Sequence, residues 1–406
     1  MAELVSNVGI GLPFVLLLLA LLGLRARVKS AGSVHVAAAP EKVFALIDPR
    51  DGDVQPRQNG HVAVALIDDA TQTFRMTYVT RLSSGVETSS TADFRVASRD
   101  APRRLLLERA GLEGKPENNQ LLTIAAEVEP EGAGARYRLS HVWGSRPLIA
   151  QLIARTDLYS GLYRFKAFAE TGNSSSWSET FINLFVSLIT GLITLFAFSV
   201  IFGIEAAIIL VVALFVHEFG HLLAFRMIGQ PWGRMIFLPF LGALAVPRMA
   251  YETQAQSVFA ALMGPAFSLV IPALAAVAVY NGASSAPHLI MVGLVVAAVN
   301  IFNLLPVEPL DGGVALRSIF SSIFGDMARF GLMFVGLAIL AFGFVIKEPI
   351  LLVFGGLSLL ANFKPRVIDA GLQPLSSLET AISIFSFVSI AAAYSSAFVF
   401  LTKFIA

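Results

Sequence analysis

The sequence predicts a polytopic α-helical membrane protein of about eight transmembrane helices, with a soluble α+β domain inserted after the first. Three observations predict this. Of 406 residues, 56% are hydrophobic, against about 45–50% in an ordinary soluble domain. Only 14% are charged, against about 25%. The apolar residues are also unevenly spread, being nearly continuous after residue 176 and alternating with polar ones over 30–172. A net charge of +1 says nothing about nucleic acid, and no nucleic-acid partner is expected. With no cysteine, disulfides, iron–sulfur clusters and thiolate zinc sites are excluded, so any metal must be held by His, Asp or Glu.

The first element is an uncharged apolar run, Val8–Leu24, followed by Arg25, Arg27 and Lys29. About 20 apolar residues span a bilayer, and this run is at the short end. A cleaved signal peptide carries its positive charges before the apolar run; here they come after it. Residues 1–29 are therefore expected to be an uncleaved transmembrane anchor.

Residues 30–172 form the second region. Alternating stretches recur at Val62–Ile67, Thr73–Thr80, Glu87–Val96, Leu105–Glu108, Leu121–Val128 and Arg136–Val142, separated by Gly, Asp, Pro and Asn. That pattern predicts an antiparallel sheet. A first strand, Ser33–Ala38, leads to Pro40 at a helix start and a short apolar helix, Glu41–Ile47. An amphipathic segment, Pro147–Phe168, closes the region. This order, with the opening VHVAAAPEKVFALI, resembles the START-like (SRPBCC) helix-grip family. The resemblance implies a fold that grips an apolar ligand between sheet and helix; a packed domain without ligand is the alternative.

A short polar linker, Asn173–Ser176, leads into the third region, 173–406. Candidate spans are Phe181–Phe202, Ala206–Arg226, Ser257–Tyr280, Leu289–Leu305, Phe330–Ile346, Ile350–Ala361 and Ala381–Leu401. The basic residues alternate in side: Arg226, Arg234 and Arg248 follow the third span, Arg317 and Arg329 the fifth, Lys364 and Arg366 the seventh. By the positive-inside rule this puts residues 30–172 in the cytoplasm. A bacterial inner membrane is the expected location.

The third span contains His217-Glu218-Phe219-Gly220-His221. Positions i and i+4 share a helix face, so both imidazoles can reach one metal, with Glu218 placed to take a proton from its water. Ionisable groups inside a span are costly and rarely kept without a role. A catalytic zinc needs a third ligand. After the motif, the apolar region offers as candidates Glu252, His288, Glu308, Asp311 and Asp326. The third and fifth spans run in the same direction, so Asp311, just past the end of the fifth, is at the depth of the two histidines, whereas His288 is at the opposite face. Around it, Pro306 and Pro309 break the helix, and Gly312 and Gly313 permit close backbone approach. Asn303 is a candidate for bonding substrate backbone, with a helix-packing amide as the alternative. Glu308 is either near the metal or a solvated loop residue. His35, His61 and His141 are scattered and read as ordinary packing or surface residues.

HExxH in one span, with NLLPVEPLDGG at the end of a later one, resembles the site-2 protease family. The resemblance covers roughly residues 180–325. It implies one zinc per chain on His217, His221 and Asp311, Glu218 as catalytic base, and hydrolysis of peptide bonds in or near transmembrane segments of membrane-protein substrates. LMGPAFS, Leu262–Ser268, resembles the family's Gly-Pro segment and makes Gly264 and Pro265 candidates beside the site; Asn is common in that family where Ser268 stands. Phe237–Pro247 resembles the strand-like loop beside the substrate. No PDZ-like insertion is seen, and the START-like domain precedes the core; it is expected to tune cleavage without forming the active site. A lipid-binding or scaffold protein with a degenerate protease core is the competing reading, against which Glu218 is intact.

Overall fold

A computed structural model describes residues 25–57, 60–81, 87–111, 120–147, 149–172, 177–239, 242–249, 251–282, 287–307, 310–347, 349–363 and 372–404. The expected anchor Val8–Leu24, the linker Asn173–Ser176, Glu308, Pro309, Lys364 and Arg366 lie outside them. The chain parts into two compact units at Phe185/Val186.

In the first unit, β1 (Arg25–Val36) is followed by α1 (Pro40–Ile47), then β2 (Val54–Arg57), β3 (Gly60–Asp68), β4 (Thr73–Arg81), β5 (Glu87–Asp100), β6 (Arg104–Arg109), β7 (Leu121–Glu131) and β8 (Gly134–Pro147). The long helix α2 (Ile149–Thr171) closes the unit. The eight strands form one antiparallel sheet in the order β1-β8-β7-β6-β5-β4-β3-β2. The period-2 alternation sets its faces. In β1, Val28, Ser30, Val34 and Val36 are buried, while Lys29, Ala31, Ser33 and His35 face out. Leu158, Leu162 and Ala169 of α2 join Val36, Phe94, Leu105 and Tyr137 in the core. Gly32 lets the helix approach: a Cβ there would stand 2.9 Å from Leu162 Cδ1. The Lys166 ammonium donates to the His35 carbonyl at 2.6 Å and the Glu170 carboxylate accepts from the Ala37 N–H at 2.6 Å, tying the end of α2 to the end of β1.

One expectation shifts. The first strand begins at Arg25, eight residues before the expected Ser33, because β1 pairs with β8 over its whole length from Arg25↔Pro147 to Val36↔Ala135. Arg25, Arg27 and Lys29 therefore belong to a strand. Local apolar pattern could not reveal this, because the partner strand is about a hundred residues away.

The second unit is helical: α3 (Trp177–Phe202), which begins just before the division, α4 (Ile204–Met227), a hairpin of β9 (Arg234–Leu238) and β10 (Gly242–Val246), α5 (Gln254–Ser268), α6 (Val270–Tyr280), α7 (Pro287–Asn303), α8 (Asp311–Phe324), α9 (Ala328–Ile346), α10 (Pro349–Phe363) and α11 (Ser377–Thr402). Five segments are long and apolar enough to cross a membrane: Asn183–Phe202, Ile204–Met227, Gln254–Tyr280, Ala328–Val345 and Ser377–Thr402. Pro287–Asn303 is apolar but shorter, and α10 has 15 residues. Five long helices are thus what the described residues carry, where eight spans were expected in the whole chain. The span expected as Ser257–Tyr280 is two helices meeting at Leu269, with Pro265 inside the first.

Many large apolar side chains point outward here and many small ones inward. Phe196, Phe334, Phe344 and Phe385 are exposed, while Ala207, Ala224, Ala297 and Ala315 are buried. Close crossings depend on glycine. A Cβ on Gly220 would lie 2.4 Å from the Met263 carbonyl oxygen, so α4 and α5 touch backbone to backbone. A Cβ on Gly336 would lie 2.8 Å from Ser358 Cβ at the α9–α10 contact.

Candidate metal centre

His217, Glu218 and His221 lie on consecutive turns of α4 and are all buried. The two imidazoles share one face, as a four-residue spacing requires. Asp311 is the first residue of α8, after the non-helical stretch that follows α7. The backbone there is tightly folded: a Cβ on Gly312 would lie 2.0 Å from the Leu304 carbonyl oxygen. The stretch is also held from outside, because the buried Ser358 hydroxyl of α10 donates to the Pro306 carbonyl at 3.1 Å.

Three atoms converge. His217 Nε2 stands 2.9 Å from Asp311 Oδ2, His221 Nε2 stands 3.3 Å from the same oxygen, and the two Nε2 atoms are 3.1 Å apart. The other ring nitrogens are committed elsewhere. His217 Nδ1 lies 2.8 Å from Asn300 Oδ1, and His221 Nδ1 lies 2.7 Å from the Ala260 carbonyl oxygen. Both partners only accept, so each neutral imidazole carries its proton on Nδ1 and presents a bare Nε2 lone pair. Asp311 Oδ2 is buried and receives no hydrogen bond. With neutral rings, three electron-rich atoms meet in a buried place, which is costly unless a cation, a proton or a metal ion, joins them.

A metal ion fits this set. Ligand atoms at about 2.0–2.1 Å from a tetrahedral zinc stand about 3.3–3.4 Å from one another, close to the three separations here. His, His and carboxylate is a known catalytic zinc ligand set, and each imidazole already has an acceptor behind it.

Glu218 lies beside this trio, its ligand-type atom within 4.8 Å of those of both histidines. Its carboxylate is met by the backbone N–H of Ala245 in β10. The hairpin's other strand is fixed to α3: the Ser187 hydroxyl donates to the Met235 carbonyl and the Thr190 hydroxyl accepts the Phe237 N–H.

The remaining candidates distribute as follows. Asn303 Nδ2 lies 3.4 Å from His217 Nε2, on the metal side of that ring. Gly264 is packed against His221, where a Cβ would come within 2.3 Å of Nε2. The Pro265 carbonyl accepts the Tyr394 hydroxyl at 2.6 Å. Pro306 is tied to α10 through Ser358, as above. His288, at the start of α7, pairs with Glu205 at 2.6 Å at the start of α4, away from the trio as the span directions implied. Sequence reasoning missed Asn300, Tyr394 and Ser358. A signal for Asn300 was present: it sits three residues before Asn303, so both amides occupy one face of an apolar helix.

No protein-family model matches the chain, and no curated protein matches it. Solved structures match in part. A site-2 protease from Methanocaldococcus jannaschii is 24% identical over 46% of this chain and 90% of its own, with a TM-score of 0.31. The Aha1 dimer from Colwellia psychrerythraea is 16% identical over 36% of this chain and 98% of its own, at 0.24. The di-domain ARO/CYC BexL is 16% identical over 37% of this chain and 51% of its own, at 0.28. Likeness at these scores carries no argument about chemistry.

Proposed function

We propose that this chain is an intramembrane zinc metalloprotease of the site-2 protease type, cutting peptide bonds in or near transmembrane segments of membrane-protein substrates. One observation supports it above the others: His217 Nε2, His221 Nε2 and Asp311 Oδ2 converge within 3.3 Å of one another, with the Glu218 carboxylate beside the two histidines. His217, His221 and Asp311 would hold one zinc. Bound there, the metal would supply Lewis acidity toward the scissile carbonyl and lower the pKa of a water to about 7.

The chain's own groups do the rest. Glu218 takes the proton of the attacking water as its oxygen bonds to the carbonyl carbon, and returns it to the amine nitrogen as the C–N bond breaks. Asn303, on the metal side of His217, donates toward the substrate carbonyl. A helical substrate hides its carbonyls in intrahelical bonds and must be unwound first. The β10 edge, whose Ala245 N–H already reaches Glu218, receives the unwound segment as an added strand. The long apolar helices support a bilayer setting for this chemistry, proposed to be a bacterial inner membrane with residues 30–172 cytoplasmic. That region, read as START-like, tunes cleavage and takes an apolar ligand.

The test is metal analysis together with cleavage. Purified chain should carry one zinc and cut a generic transmembrane substrate, and chelation should stop cutting. A chain that cuts normally after its metal is stripped would refute the proposal.

A further inference from the structure

The acceptor behind His217 is the start of a longer chain of contacts. Asn300 is fully buried in α7. Its Oδ1 faces His217 Nδ1 at 2.8 Å and the Ser268 hydroxyl of α5 at 2.9 Å, and its Nδ2 donates to the Val296 carbonyl at 2.8 Å. Ser268, also fully buried, lies 3.0 Å from the hydroxyl of Tyr394. Tyr394 comes from α11, is fully buried, and donates to the Pro265 carbonyl at 2.6 Å.

Donor and acceptor capacities fix the two ends of this chain, while the single Ser268 proton is shared between Asn300 Oδ1 and the Gly264 carbonyl, each at 2.9 Å. A carbonyl cannot donate, so the Pro265 oxygen takes the Tyr394 proton, and the Val296 oxygen requires the amide nitrogen of Asn300 on its side. Turning that amide over would set Oδ1 against the Val296 oxygen, two acceptors with no proton between them, in a place closed to water. Asn300 Oδ1 is therefore locked toward His217, which must keep a proton on Nδ1, so that a neutral ring carries its lone pair on Nε2.

We propose that Asn300 is the positioning residue that fixes the tautomer of His217, that Ser268 steadies it through Oδ1, and that Tyr394 of the last long helix, α11, supports both by holding that turn of α5 through the Pro265 carbonyl. The proposal rests on the zinc reading above. His221 has only a backbone carbonyl behind it, so the two histidines are held by different means, and only one is exposed to side-chain substitution at a distance. Tyr394 lies 126 residues from Ser268, so the chain of contacts joins the C-terminal helix to a site otherwise built between residues 217 and 311.

The test uses the full chain in detergent, with zinc affinity by chelator competition and the absorption spectrum of the cobalt-substituted site. The wild type is measured first: if it binds neither metal, the zinc reading fails before this proposal is reached. Asn300→Leu should weaken zinc binding by roughly 10–100-fold and alter the cobalt spectrum. Asn300→Asp, which still accepts from Nδ1, should rescue most of that loss. Ser268→Ala and Tyr394→Phe should each give a smaller weakening. Wild-type affinity and spectrum in folded Asn300→Leu would overturn the proposal. So would equal loss in the Leu and Asp variants, which would make Asn300 a packing residue. Should Asn300→Leu not fold, unchanged affinity and spectrum in both Ser268→Ala and Tyr394→Phe would overturn it instead.

Discussion

The two units of this chain solve the burial problem in opposite ways. In the sheet unit the interior is apolar and large, with Val36, Phe94, Leu105 and Leu162 almost wholly enclosed, and the charges are paired at the surface. In the helical unit many large residues are outside, Phe344 being 75% exposed and Phe196 72%. Its interior mixes alanine, glycine and larger residues such as Phe225, Ile319 and Leu401 with a set of polar groups: His217, Glu218, Asn300, Ser268 and Gln254. The first pattern is what water demands. The second suits a solvent as apolar as the side chains themselves, where association relies on close packing and buried hydrogen bonds. Polar groups placed inside such a unit are costly, so each needs a partner, and His217, His221 and Asp311 meet one another at 2.9–3.3 Å.

Substitutions at matched small and large positions should separate the two regimes. The largest effect is expected at Gly264→Ala. A methyl there would meet His221 Nε2 at 2.3 Å, so the ring must leave its place. We expect zinc affinity to fall by at least about 100-fold, the upper end for a disturbed ligand shell, measured by chelator competition. Unchanged affinity would show that α4 and α5 can part without harm.

The counterpart in the sheet unit is Leu162→Ala. Removing a fully buried leucine side chain should cost about 2–5 kcal/mol of that unit's stability. Limited proteolysis in urea should show residues 30–172 cut at lower denaturant, with zinc content unchanged. Loss of zinc along with the sheet unit would mean that the domain helps to build the site.

Legibility differed between the units for the same physical reason. Period-2 alternation announced most strands, because one face of the sheet must be apolar. The start of β1 was hidden, since Arg25–Gly32 is strand only through pairing with β8. In the helical unit almost every residue is apolar, so periodicity says little about which face is inside. What stood out were the exceptions: His217, Glu218, His221 and Asp311 were readable because charge in an apolar run demands a reason. Asn300 and Tyr394 were not read, although Asn300 carried the same kind of signal. Their roles depend on which helices cross, and on Ser268 standing between them.

A smaller effect is expected at Ser358→Ala. Losing the hydroxyl that donates to the Pro306 carbonyl removes one buried hydrogen bond, worth about 1 kcal/mol and more if the carbonyl is left unmet. Thermal unfolding of the helical unit should shift down modestly, with zinc affinity reduced only a few-fold.

The smallest effect belongs to a surface pair. Arg75 Nε and a terminal nitrogen donate to Asp93 at 2.8 and 2.9 Å. That hydrogen bond holds the Asp93 carboxyl below its usual range, ahead of the opposing effect of burial. A lowered carboxyl stabilises the fold at pH above its unfolded value and loses that contribution as pH falls through the folded value. The pair is partly exposed, so about 0–1 kcal/mol is expected. Asp93→Asn should lose that small contribution at neutral pH and remove the matching part of the acid-side fall in stability of the sheet unit.

The central claim is that the buried trio holds a metal for Glu218 to work beside. It is tested most directly by measuring zinc content and cleavage of a transmembrane substrate in purified Glu218→Gln. Glutamine keeps the shape and cannot accept the proton of the attacking water, so one zinc per chain should remain while cleavage falls below detection. Cleavage at the wild-type rate in that variant would contradict the account.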